Sequence, residues 1–187
     1  MTEDAQGNHS VAPPTAGLNL EGQTVGISVF QFVGLFRAME YNAMMAANAG
    51  DALRSVYGTN TLLAAYAALE ALVLETAYVK YRPVYARSNF RSQQLTRKYM
   101  DYLAVDDRPV QREEDLPRVI AHVARQRAAL THSEPDNPRS GHVGTITTSP
   151  EALHDIVTGV RELARWLWRD QPPRPVGIGF NDPNPYI

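Results

Sequence analysis

The chain has no cysteine. That excludes disulfides, thiolate nucleophiles and cysteine-ligated zinc, and it fits a cytosolic setting. It also lacks a basic excess: 18 Lys and Arg stand against 20 Asp and Glu, for a formal net charge of −2. No global field draws nucleic acid, so any RNA contact must come from a local patch. No run approaches the roughly 20 apolar residues of a membrane span. The best candidate, "GISVFQFVGLF" (26–36), runs into Arg37 and Glu40. A start carrying Glu3 and Asp4 also opposes a secretory signal. The expected setting is cytoplasmic, without membrane contact. Glycine-rich phosphate loops, H-E-x-x-H and G-x-S-x-G are all missing, and "GIGF" (177–180) has no strand and helix around it. Strand-like alternation is scarce.

What is present reads as helix. The 187 residues, 44% of them hydrophobic, suit one domain. Residues 1–24 are polar and rich in Gly and Pro, which predicts a disordered segment. Residues 171–187 carry five prolines and predict an extended Pro-rich tail. Between them, residues 25–170 predict an up-down bundle of about five helices. The first covers about 27–56, with a weak point near Gly50. The second runs 59–80, capped by Thr59 or Asn60 after a stop at Gly58 and ended by Pro83. The third runs about 88–103, and the fourth from 113 or 116 to near 132. The fifth opens at "TSPEALHDI", with Ser149 as N-cap, Pro150 at the first helical position and Glu151 favoured by the helix dipole, and it ends by Asp170. "GHVGTITTS" (141–149) reads as a short extended loop.

At about 100° per residue, Leu62, Leu63, Tyr66, Leu69, Val73 and Ala77 share a face. Glu70 falls within that face and Glu75 opposite it. A carboxylate in an apolar stripe needs a partner. In the fourth helix Leu116, Ile120, Val123 and Leu130 form a stripe with Arg127 among them, while Arg125 and Arg118 point away. An inward guanidinium needs acceptors, and Glu70 is the candidate. In the fifth, Leu153, Ile156, Val157, Val160, Ala164 and Leu167 form the apolar stripe, with Trp166 turned away and Trp168 at its edge.

Two other groupings carry chemistry. His122, His132, His142 and His154 with Asp136 and Asp155 lack the tight spacing of a ligand set, so neither metal nor cofactor is expected. The acid-free stretch 79–99 interleaves Lys80, Arg82, Arg87, Arg91, Arg97 and Lys98 with Tyr81, Tyr85, Phe90 and Tyr99. Such a pattern either grips single-stranded RNA, with Arg87, Arg91, Arg97 and Lys98 as the contacts, or is a solvated face whose aromatics pack inward. The second reading is favoured.

"RQRAALTH" (125–132) bears on activity. Arg127, four intervening residues and His132 resemble the R-x4-6-H signature of HEPN domains. The Ala/Leu-rich "TLLAAYAALEALVLETAY" (61–78) is similar to that family's second helix, and Glu70 matches an acid many members carry. The resemblance spans about residues 27–170. It implies an all-α bundle that usually forms homodimers, with Arg127 and His132 as catalytic pair of a metal-independent ribonuclease. His132 would exchange protons with a ribose 2′-hydroxyl or the leaving oxygen, and Arg127 would stabilise phosphate charge. A toxin or defence setting is the expected context. Ala128 stands where the family commonly carries a polar residue, typically Asn. A second register, Arg125 to His132, supplies Gln126 as that neighbour. Two further readings therefore stand beside the ribonuclease: a silent HEPN-like interaction module, and an unrelated bundle that binds a protein partner through its tail.

Overall fold

A computed structural model of the chain describes residues 20–106, 112–131 and 148–170, with 20–30, 113 and 131 described through their backbone alone. Among the described residues there are six α-helices, two short 3-10 turns and no strand. They are α1 (Leu20–Asn48), α2 (Asp51–Lys80), α3 (Arg82–Tyr85), α4 (Leu95–Val105), α5 (Arg118–Thr131) and α6 (Pro150–Leu167). The segments 1–19, 107–111, 132–147 and 171–187 lie outside the described residues, and with them most of the expected disordered start, the expected loop at 141–147 and the tail.

The helical backbone starts at Leu20, ahead of the expected start near residue 27. The weak point at Gly50 is the real boundary: α1 ends at Asn48 and α2 begins at Asp51. Gly58, expected as a stop, is instead a buried residue inside α2, so neither Thr59 nor Asn60 caps a helix. A Cβ on Gly58 would lie 2.6 Å from the Thr148 side chain. The glycine is there for close approach, not for chain reversal. Pro83 acts as expected: α2 ends at Lys80, and Pro83 enters α3 at its first turn. The expected third helix divides into a 3-10 turn at Phe90–Ser92 and α4. The opening of α6 matches its prediction, with Ser149 Oγ accepting from the Ala152 N–H at 3.3 Å.

α2 is the central element. It forms a long helical hairpin with α1 and also packs against α3, α4, α5 and α6. It is therefore buried on more than one side, and the single-face reading fails. Leu62, Leu69, Val73 and Ala77 are core, while Leu63 is 45% exposed. Glu75, expected to face outward, is 1% exposed and accepts the Phe32 backbone N–H at 3.0 Å. α2 holds an 18-residue window of mean hydropathy 1.5, which is long and apolar enough to cross a membrane, and 56% of that window is buried within the bundle. Such burial is also what the core helix of a bundle needs.

α6 closes the core with the stripe expected of it. Leu153, Ile156, Val157, Val160, Ala164 and Leu167 are all buried. Trp166 is turned outward; Trp168 is buried, and its indole N–H donates to Thr76 Oγ1 at 3.1 Å. Lys80 donates to the Leu167 carbonyl at 2.6 Å, where the negative end of the α6 dipole favours a cation. Arg161 of α6 pairs with Glu40 of α1.

Candidate functional site

Arg127 lies just ahead of the last turn of α5, and it is exposed rather than buried. Leu116, Ile120 and Val123 carry the stripe into the core as expected and Leu130 packs against it partly buried, while Arg127 between them stays exposed. The guanidinium carbon sits 4.3 Å from the centroid of the Tyr66 ring on α2. A planar cation over an aromatic face has its body covered by the ring.

Glu70 stands one turn along α2 from Tyr66, and its ion pair is with Lys98 of α4. Lys98 is 1% exposed and Glu70 36% exposed. The carboxylate expected to answer Arg127 therefore compensates a buried lysine. Tyr66 feels both neighbours. Its pKa is raised chiefly by burial, lowered by Arg127 and raised again by Glu70. Four polar side chains from three helices thus gather at one edge: Tyr66, Glu70, Lys98 and Arg127. His132 lies outside the described residues. Arg125 is exposed as expected, and its Nε donates to the Ala121 carbonyl at 3.3 Å.

The basic-aromatic stretch splits between core and surface. Phe90 and Tyr99 are fully buried, with the Tyr99 hydroxyl donating to the Leu69 carbonyl at 2.8 Å. Burial, with Tyr102 and Glu75 adding to it, holds the Tyr99 pKa well above its ordinary value. Lys98, expected as an RNA contact, is buried and charge-paired, so it presents no cation to a ligand. Arg97 remains exposed beside Asp101 at 3.0 Å. Arg87 and Arg91 are exposed. Arg82 and Arg91 stack on the rings of Tyr78 and Tyr85, at 5.0 and 5.7 Å, and those two rings meet edge to face at 5.1 Å. This ridge at the end of α2 is the part of the stretch that faces solvent with cations and ring surface together.

A second constellation was not assembled from the sequence. Arg118, His122 and Arg125 recur at helical spacing along α5 and line a groove of about 560 Å³ against α6, where Asp155 faces them. Val119 and Ile156 supply apolar floor. Burial lowers the His122 pKa from its ordinary value, and Arg125 lowers it further, so the imidazole is neutral at physiological pH. The signal available in the sequence was the i, i+4, i+7 spacing of three basic residues; what it omitted was the neighbour across the groove. Among the described residues no three His, Asp or Glu side chains form a metal-holding group.

Compared with known proteins, the chain matches no family model, no curated protein and no solved structure. The class defined by the fold is all-α: a helical assembly around one long central helix.

Proposed function

We propose that this is a HEPN-like helical protein of the cytoplasm that engages RNA and cleaves it without metal. Arg127 meets the phosphodiester and His132 exchanges the proton. The observation that carries this reading is the exposed Arg127 guanidinium, propped on the Tyr66 ring at 4.3 Å just ahead of the last turn of α5, one short step before His132 in the sequence. In the reaction, the imidazole accepts the 2′-hydroxyl proton, the 2′-oxygen attacks phosphorus, and the 5′-oxygen leaves with a proton. Charge grows on the non-bridging oxygens, where a planar multi-donor cation stabilises it. The products are a 2′,3′-cyclic phosphate and a 5′-hydroxyl end. The ridge of Arg82, Tyr78, Tyr85 and Arg91 supplies phosphate and base contacts for the single strand. Two copies of the chain would bring two such motifs to one cleft, and a toxin or defence role suits that chemistry.

One observation favours a second reading, a silent HEPN-like binding module. Ala128 follows Arg127 and has no side-chain donor or acceptor to orient a phosphate.

The separating experiment is RNA cleavage in excess chelator, with end-group analysis, for the unaltered chain, His132→Ala and Arg127→Ala. Cyclic-phosphate ends lost in both variants support the nuclease. Retained RNA binding without cleavage selects the module. Identical behaviour of all three proteins on every RNA removes the catalytic reading.

A further inference from the structure

We propose that the groove between α5 and α6 binds a small zwitterion, a peptide of two or three residues with an apolar side chain. The argument begins with unspent polar capacity. Among the described residues, Arg118, His122 and Asp155 make no hydrogen bond or ion pair with one another or with other groups, and Arg125 commits only its Nε. All four line one groove of about 560 Å³, a size ordinary for small-ligand sites.

The signs of the charges are divided between the walls. The α5 wall carries Arg118 and Arg125; the α6 wall carries Asp155, and Glu162 further along. A dianion such as a phosphate would meet Asp155, and a simple cation would meet the guanidinium groups. A ligand with one charge of each sign satisfies both walls. Guanidinium groups match a carboxylate in bidentate geometry, and Asp155 accepts from an ammonium. The neutral His122 ring has one N–H donor and one nitrogen acceptor, which suits a peptide amide.

Shape sets the length. The charges of a single amino acid share one carbon, whereas a groove of about 560 Å³ has room for a ligand whose two charges lie further apart. An extended peptide rises about 3.3 Å per residue, so two or three residues separate its terminal charges along such a groove. Val119 and Ile156 form the apolar floor for the side chain. At Gly159 a Cβ would lie 3.0 Å from Val119 Cβ, so the two helices close the floor there. A shallower recess continues past this point to the half-exposed Trp166. Residues 118, 122 and 125 lie roughly opposite residue 127 around α5, at about 100° per residue. The inference therefore stands apart from the RNA reading, and either can fail alone.

The test is a titration of the full chain, followed by NMR at the Ala152 and Gly159 amides. The probes are leucyl-leucine, its N-acetyl form, its C-terminal amide and guanosine monophosphate. The free dipeptide should shift those amides. Each blocked form should bind about tenfold more weakly, the loss of one charged hydrogen bond. In Asp155→Asn the free and N-acetyl forms should become equal. In the double variant Arg118→Ala, Arg125→Ala the free and amide forms should become equal. Circular dichroism confirms that both variants remain folded. No shift at 10 mM dipeptide, or equal binding of blocked and free forms to the unaltered chain, overturns the proposal. So does tighter binding of guanosine monophosphate than of the dipeptide. If instead the arginine variant changes the solution mass of the chain, the groove is an interface between copies and the peptide site is wrong.

Discussion

α4 and α5 are short amphipathic helices that bring cations to the same central helix, and they use them in opposite ways. On α4, Lys98 is buried and answered by Glu70, and Arg97 lies beside Asp101. On α5, Arg118 and Arg125 have no ion pair among the described residues and open onto a groove. A count of basic residues treats both helices alike. The difference is whether a carboxylate on a neighbouring helix falls within reach. Charge committed inside a fold supports it, while charge left at a groove is available to a ligand.

The sharpest break in this comparison is Glu70→Ala against Arg118→Ala. Removing Glu70 strands a lysine of 1% exposure, and unfolding in urea should show a loss of about 3 kcal/mol. The figure sits at the low end because Glu70 itself keeps 36% of its side chain exposed. Arg118→Ala should stay within about 0.5 kcal/mol. Equal effects would mean that the Lys98 pair is no more internal than the groove.

The two tight glycines extend the contrast to packing. Gly58→Ala drives a Cβ to 2.6 Å from Thr148, against 3.0 Å from Val119 for Gly159→Ala. Overpacking costs about 1–3 kcal/mol, offset by about 1 kcal/mol of helix propensity. Thermal melts should show Gly58→Ala destabilised and Gly159→Ala close to neutral. Loss of the N-cap in Ser149→Ala should remove about 1 kcal/mol, read as a lower melting temperature.

The smallest effect is expected at His122. Its folded pKa is lowered, so the unfolded chain binds the proton more readily than the folded one. Stability is fully present above the ordinary histidine value of about 6.5 and declines as pH falls through it towards the lower folded value. Arg118, Arg125 and Asp155 line the groove with the ring, and Arg125 sharpens the effect. His122→Gln should flatten the pH dependence of the urea midpoint below that value. An unchanged slope would show that the ring is solvated as in the unfolded chain.

The α6 boundary and stripe were legible because their signals are local. Ser149 and Pro150 open the helix whatever surrounds them, and a helix with one buried side shows its face in its spacing. α2 misled for the reciprocal reason. Five neighbouring helices bury it, so Gly58 served contact instead of termination and Glu75 went inside. Arg127 was misplaced because a shared stripe does not cover every residue on it: Leu130 beyond it packs against the core, while the long Arg127 side chain stays exposed over the Tyr66 ring.

Composition, breakers and caps were enough to dictate helices and the boundaries that local signals mark, the end of α2 before Pro83 and the start of α6 at Ser149 and Pro150, since those choices are made by hydrogen bonds only a few residues apart. Which charges became internal, which stayed open and which glycines touch another helix depended on groups distant in the chain arriving at ångström range. A carboxylate on α2 claimed Lys98, and none claimed Arg118 among the described residues. Pairing energies fall off with distance and solvent screening, so no reading along the chain could have told those two cations apart.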